Sequence, residues 1–166
     1  MSLGLTSIKT IFVKTMKQLN LPPYPVRLKK DNGIAYIFDE IRKKWLQNTP
    51  EEWVRQHMIQ LMINQLNYPA SLIEVERGFK VNGLAKRADI LANSKSGQPI
   101  LIVECKAPHI KINQAVFDQI ARYNLTLDVP YLVVTNGMEI YACEVSSTGN
   151  SNSPEVRFLE EIPKWE

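Results

Sequence analysis

The sequence has few cysteines, no long apolar run and no strong excess of either charge. Its longest aliphatic runs, residues 100–103 and 132–134, are far too short to cross a bilayer. The two cysteines, Cys105 and Cys143, lie in apolar strand-like contexts without CxxC spacing, so we expect reduced core thiols and not a disulfide framework or a zinc site. These absences favour a soluble, cytoplasmic protein.

The composition is typical of one globular domain. The 166 residues are 45% hydrophobic and 22% charged, without an excess of glycine or proline, so the chain can bury a sizeable core. We divide it into an N-terminal helix and extension, residues 1–25, and a domain, residues 26–166. The net charge of +3 is mild, but basic residues cluster at positions 29–30, 42–44 and 86–87. Such clusters are compatible with a polyanion such as nucleic acid, although solvated surfaces are their commoner cause.

The spacing of apolar and turn residues predicts an alternation of helices and strands. Thr49 is a predicted N-cap, with Pro50 at the first helical position and Glu52 at the third, ahead of apolar residues at helical intervals. Elsewhere the pattern predicts helices over residues 7–19 and 112–125, and a hairpin over residues 26–38 that turns at Asp31-Asn32-Gly33. It also predicts strands over residues 71–79, 87–92, 100–106, 131–135 and 140–145, and a flexible loop over residues 146–154. This order predicts an α/β fold with some parallel strand pairing, because a helix between two strands can act as a crossover.

A carboxylate and an ammonium follow the aliphatic stretch of "ILIVECKAP", residues 100–108. Glu104 and Lys106 project from one face of that strand, and Asp89 lies on the preceding strand, in "KRADILAN". If the two strands pair, the carboxylates lie about 5 Å apart and repel each other, unless a hard divalent cation separates them. Lys106, about 6 to 7 Å along the strand, could orient or deprotonate a water, which suits phosphodiester hydrolysis. An ordinary strand-end ion pair is the alternative.

These motifs resemble the PD-(D/E)XK phosphodiesterase signature. More specifically, "IFDEIRKKWL", "TPEEWVRQHMIQLM", "RADILA", "LIVECKAP", "DQIARYN" and "VTNG", in that order, are similar to the N-terminal nuclease domain of type I restriction enzyme R (HsdR) subunits. The resemblance implies a restriction-endonuclease-like fold, with a mixed central β-sheet flanked by α-helices, and Mg²⁺-dependent cleavage of DNA in which Mn²⁺ can substitute. It also implies that Asp89, Glu104 and the backbone carbonyl of Cys105 hold the metal ion, while Lys106 serves the attacking water.

In this family an acidic residue on the first core helix often completes the site. We favour Glu51 for this role, because Glu52 is expected to reach back to the N-cap amide in a capping box. Trp45 and Trp53 flank the start of the same helix, and we interpret both as packing residues and not as base-stacking platforms.

Four further residues are candidates for substrate binding. Gln119 and Tyr123 match the Gln-x-x-x-Tyr pair that many family members carry on the helix after the strand of Glu104. Arg42 and Lys43 could grip phosphates, although a solvated basic turn is the commoner reason for such a cluster.

The sequence departs from the family's pattern in two places. The first half of the signature reads Ala88-Asp89, where Pro-Asp is usual. The sequence also has no GxxxxGK[ST] loop, so we expect it not to translocate DNA unaided and to work with a separate motor or restriction-modification subunit. Two alternatives to a DNA nuclease stay open: an RNA or junction nuclease, and a catalytically silent DNA-binding or protein-interaction module with the same fold. The oligomeric state is also open, and a homodimer is one candidate.

Overall fold

A computed structural model of the chain describes residues 16–146 and 155–166. The predicted helix at 7–19 falls mostly outside this part of the chain, and residues 16–19 are not helical. Most of the predicted flexible loop, residues 147–154, also lies outside it. The described elements are β1 (Leu28–Asp31), β2 (Ile34–Asp39), β3 (Lys44–Gln47), α1 (Pro50–Asn64), a 3-10 turn (Ala70–Leu72), β4 (Ile73–Val81), β5 (Leu84–Asn93), β6 (Pro99–Cys105), α2 (Gln114–Leu127), β7 (Tyr131–Thr135), β8 (Ile140–Ser146) and β9 (Glu155–Leu159).

The first three strands form a small antiparallel sheet. The predicted hairpin is confirmed, and its turn residues Asn32 and Gly33 have φ angles of 46° and 83°, as a tight two-residue hairpin turn requires. The third strand was not predicted, because residues 42–44 read as a solvated basic turn. Lys43 does turn the chain, with a φ of 52°, but Lys44 already pairs with Asp39.

The first helix begins where its capping signal predicts. Thr49 accepts a hydrogen bond from the Glu52 amide at 3.1 Å, and Pro50 is the first helical residue. The second half of the predicted capping box is wrong, because the Thr49 amide donates to the carbonyl of Gln47 at 2.9 Å. The Glu52 carboxylate instead accepts from Arg55 Nη1 at 2.6 Å. Ion pairing inside the protein therefore replaces local capping.

The predicted mixed central sheet is confirmed. Its strand order is β4-β5-β6-β7-β8-β9, and the β6–β7 pairing, bridged by α2, is parallel while the other pairings are antiparallel. The last strand, β9, was not predicted, because the sequence pattern indicates only a short terminal segment after the loop. Alternate residues of the strands bury apolar side chains on the two faces of the sheet. One face packs against α1 and the other packs against α2. No helix in the described part of the chain is long and apolar enough to span a membrane.

Candidate active site

The ends of β5 and β6 bring the two predicted carboxylates together. The antiparallel ladder between these strands pairs Ile90 with Val103, so its continuation by one residue sets Asp89 opposite Glu104. There the Cys105 amide donates to Asp89 Oδ2 at 2.7 Å, which fixes the Asp89 side chain at the strand end. The expected convergence of the two carboxylates is thus present in the fold.

Glu104 is held by groups that approach from its own strand and from α2. Lys106 Nζ donates to Glu104 Oε1 at 2.7 Å, and Gln119 Nε2 donates to the same oxygen at 2.5 Å. Gln119 Nε2 also lies 2.9 Å from Tyr123 Oη, which joins the Gln-x-x-x-Tyr pair to the site. Because Gln119 and Tyr123 are four residues apart, one face of α2 presents both.

The charges around Glu104 change its protonation behaviour. Burial, together with the charge of Asp89, raises the pKa of Glu104 to about 7, although Lys106 and Gln119 oppose this rise. Burial acts to lower the pKa of Lys106, but the hydrogen bond and the charge of Glu104 outweigh it and raise that pKa. Lys106 is therefore an ammonium near neutral pH, able to orient a water or balance negative charge but not to accept a proton.

Asp89 is held from the other side of the sheet by a buried arginine of α1. Arg55 Nη2 donates to Asp89 Oδ1 at 2.8 Å and lies 3.5 Å from Glu51 Oε1. Arg55 Nη1 contacts Glu52 at 2.6 Å and Glu76 at 3.5 Å. The Arg55 side chain is only 6% exposed, and within the described residues its buried Nε has no hydrogen-bond partner. Arg55 is the centre of a group of four carboxylates.

Glu76 was not among the predicted site residues. Its φ is 55°, a left-handed conformation that is costly for a residue with a β-carbon, and it falls between the paired residues Val75 and Arg77 of β4. Its carboxylate contacts Arg42, Arg55 and Arg87. A backbone held in this way by long-range ion pairs leaves no local pattern in the sequence.

Arg42 and Lys43 are placed differently from the other predicted site residues. Arg42 pairs with Asp39 at 2.6 Å, with Glu52 at 3.4 Å and with Glu76, so its guanidinium is occupied by carboxylates of the fold. Lys43 is 71% exposed and pairs with Glu40 at 3.4 Å, away from Glu104. The structure therefore gathers the other predicted side chains at the end of β5 and β6, namely Glu51, Asp89, Glu104, Lys106, Gln119 and Tyr123.

These residues fit a hard divalent cation by donor type and charge. Within the described residues, no three His, Cys, Asp or Glu side chains form a ready cluster for a metal ion. The side chains linked by ion pairs around the site nevertheless carry six carboxylates and four cations, which leaves two negative charges in excess when all are ionised. The carboxylates are Asp39, Glu51, Glu52, Glu76, Asp89 and Glu104, and the cations are Arg42, Arg55, Arg87 and Lys106. Carboxylate oxygens are the ligands that Mg²⁺ prefers, so the excess charge and the donors agree.

The site lies at the ends of two inner strands of the central sheet. Its carboxylates are mostly buried, since the side chain of Glu104 is 5% exposed and that of Asp89 is 15% exposed. A cavity of about 600 Å³ lies elsewhere, between α1 and the C-terminal segment, where Leu61, Leu66 and Leu159 line it.

Comparison with known proteins agrees with the predicted resemblance. The family model described as the type I restriction enzyme R protein N terminus (HSDR_N) matches residues 50–163. No curated protein matches the chain. Among solved structures, the chain is similar to a fragment assigned to an HsdR subunit of a type I restriction enzyme from Vibrio vulnificus YJ016, with 24% identity and a TM-score of 0.45. That match covers 64% of this chain and 22% of the other, so it spans well under two thirds of that protein.

Proposed function

Because the chain belongs to the family of type I restriction enzyme R protein N-terminal domains, we propose that it is a metal-dependent nuclease domain that hydrolyses phosphodiester bonds of DNA. The observation that carries this proposal is the meeting of Asp89, Glu104 and Lys106 at the end of β5 and β6. Two opposed carboxylates beside an ammonium are the equipment that metal-assisted phosphodiester hydrolysis needs.

Each residue has a role that its surroundings support. Asp89, Glu104 and the Cys105 carbonyl would hold Mg²⁺ or Mn²⁺, which when bound polarises a phosphoryl oxygen and lowers the pKa of a water. Lys106, held as an ammonium by Glu104, would orient that water and balance charge that develops on the phosphate.

The remaining site residues would act on the substrate or on the metal ligands. Glu51 would assist the metal site from α1, because it and Asp89 contact the same nitrogen of Arg55. Gln119 would keep Glu104 in place, and its amide and Tyr123 Oη would approach a DNA phosphate or base. Lys43, being exposed, could contact the DNA backbone, whereas the ion pairs of Arg42 support a structural role.

A catalytically silent binding module is the second candidate. Arg55 and Lys106 already neutralise charge on Asp89 and Glu104, so the fold does not need a metal ion to tolerate these carboxylates. A module of this kind would bind DNA or a protein partner without cutting. In either case family membership supports work beside a separate motor or restriction-modification subunit, and a DNA substrate supports a cytoplasmic location.

The experiment that separates the candidates compares cleavage with metal binding. We expect plasmid and single-stranded DNA to be cut with Mg²⁺ or Mn²⁺ and left intact in EDTA. Glu104→Gln should abolish cleavage and remove the metal-induced rise in melting temperature, because a ligand that binds only the native state stabilises it. Glu155→Gln, which changes an exposed carboxylate on β9, is the control and should behave like the unaltered protein. DNA binding without cleavage under every metal condition would support the silent module and refute the nuclease.

A further inference from the structure

One face of the three-stranded sheet carries aromatic and basic side chains. The strand register sets Lys29 opposite Tyr36 and Phe38 opposite Trp45, and residues two apart on β2 share a face. We call this surface the aromatic face and define it by Arg27, Lys29, Tyr36, Phe38 and Trp45.

The opposite face of the same sheet packs on the core. Ile37 is fully buried in the apolar cluster around α1, and Leu28 packs against that cluster. The aromatic face therefore points away from the interior, and Trp45 is 37% exposed. Trp45 packs on Phe38 but stays partly exposed, whereas Trp53 is buried in the core as expected.

The cations of the aromatic face lie over its rings. Lys29 Nζ is 4.8 Å from the centroid of the Trp45 ring and 5.5 Å from that of Tyr36. The Arg27 guanidinium lies 3.5 Å from the centroid of Phe38, which meets Trp45 edge to face at 5.2 Å. Arg27 also pairs with Glu40 at 2.9 Å, but Lys29 forms no salt bridge with the described residues. The ammonium of Lys29 thus lies over a partly exposed indole and contacts no carboxylate of the described residues.

This combination suits a single-stranded nucleic acid. Bases of an unpaired strand can stack on aromatic rings while its phosphates meet neighbouring cations, whereas a duplex keeps its base faces inside the helix. An apolar peptide would gain from the rings but would offer no negative charge to Lys29, which forms no salt bridge within the described residues. Charge complementarity therefore favours unpaired nucleotides as the occupant.

The opposite face of the small sheet, and not the aromatic face, is linked to the candidate active site, because Asp39 shares the buried face of Ile37. Asp39 ends β2, and Arg42 follows in the turn; Arg42 pairs with Asp39 and with Glu76, which also contacts Arg55. Arg55 in turn binds Asp89.

We propose that the aromatic face, on the side of the small sheet away from this network, binds unpaired bases of single-stranded DNA. The surface precedes residues 50–163, the part of the chain that the family model matches. The proposal rests on the proposed function for the choice of DNA. It does not rest on hydrolysis, because stacking needs no metal ion.

The test measures binding of the full chain to a fluorescein-labelled oligo-dT in EDTA by fluorescence anisotropy. Trp45→Leu should weaken binding about 5- to 150-fold, the effect of losing one stacked base. Trp45→Phe, which keeps a ring, should retain most of the affinity while removing much of the tryptophan quenching that the oligonucleotide causes. Phe158→Leu is the matched control, because Phe158 is an exposed aromatic, 63% accessible, on β9 of the other sheet. It should leave affinity unchanged.

Several results would overturn the inference. Equal affinity for oligo-dT and for an abasic oligomer would show that phosphates alone are bound, and tighter binding of duplex DNA or of oligo-rU would exclude single-stranded DNA as the preferred occupant. Unchanged affinity of Trp45→Leu would remove the stacking contact. If that variant melts early, Lys29→Met replaces it and should also weaken binding. Strand binding without cleavage by the unaltered protein would refute the nuclease alone and leave this inference standing.

Discussion

Asp89 and Glu104 face each other at the end of one ladder, yet their partners differ in kind. Asp89 binds Arg55, a buried guanidinium that stays charged and also holds Glu51, Glu52 and Glu76. Glu104 binds Lys106 and Gln119, and its pKa of about 7 lets it change protonation near neutral pH. The difference suggests that Arg55 and the carboxylates it binds hold the site in place, whereas Glu104 and its partners change during the reaction. We call the first group, next to α1, the fixed side and the second group, next to α2, the responsive side.

The largest effect is expected when the buried guanidinium of Arg55 is removed from the fixed side. Arg55→Met would leave buried carboxylates without their cation, so we expect the free energy of unfolding to fall by about 3 to 5 kcal/mol. Urea denaturation measures the loss. Arg157→Met is the control, because Arg157 pairs with Glu144 on the surface and such pairs contribute little. Similar losses for both variants would show that Arg55 is not a structural centre.

The sequence predicted the site better on the responsive side than on the fixed side. Glu104 and Lys106 are two residues apart on a strand, and strand periodicity is enough to place them together. Arg55 meets Asp89 and Glu76 only through the fold, across 34 and 21 positions of the chain, and no local pattern marks such pairs. Most helices and strands were recognisable from their periodicity, whereas β3 and β9 were missed because four or five residues on a sheet edge carry little pattern.

Removing the ammonium tests the responsive side. Lys106→Ala should slow DNA cleavage about 10²- to 10³-fold, by analogy with the loss of one donor that stabilises transition-state charge. The metal-induced rise in melting temperature should persist, because an ammonium has no lone pair with which to ligate a metal ion. Lys44→Ala, at an exposed position of β3, is the control and should cut normally. Wild-type cleavage by Lys106→Ala would exclude any part for Lys106 in the chemistry.

The two adjacent glutamates of α1 should differ in their effects on stability and on cleavage. Glu52 is buried and binds Arg55 and Gln56, so Glu52→Gln should lower the free energy of unfolding by about 1 to 3 kcal/mol, more than a capping role would predict. Glu51 is 45% exposed, and Glu51→Gln should change stability by less than about 1 kcal/mol while slowing cleavage. Melting and cleavage assays on both variants measure this. A stable, inactive Glu52→Gln beside an active Glu51→Gln would reverse the two roles.

The smallest expected effect concerns Gln119, which joins Glu104 to Tyr123. Gln119→Leu removes a hydrogen bond that lowers the pKa of Glu104, so that pKa should rise further. Because the proposed metal site needs the carboxylate, the fall of the cleavage rate at acidic pH should begin at a higher pH. The rate at neutral pH should drop about 3- to 10-fold, the worth of one ordinary hydrogen bond. Tyr123→Phe is the matched control, since it removes Tyr123 Oη but keeps the contact between Gln119 and Glu104. A pH profile that moves equally in both variants, or in neither, would show that Gln119 does not tune Glu104.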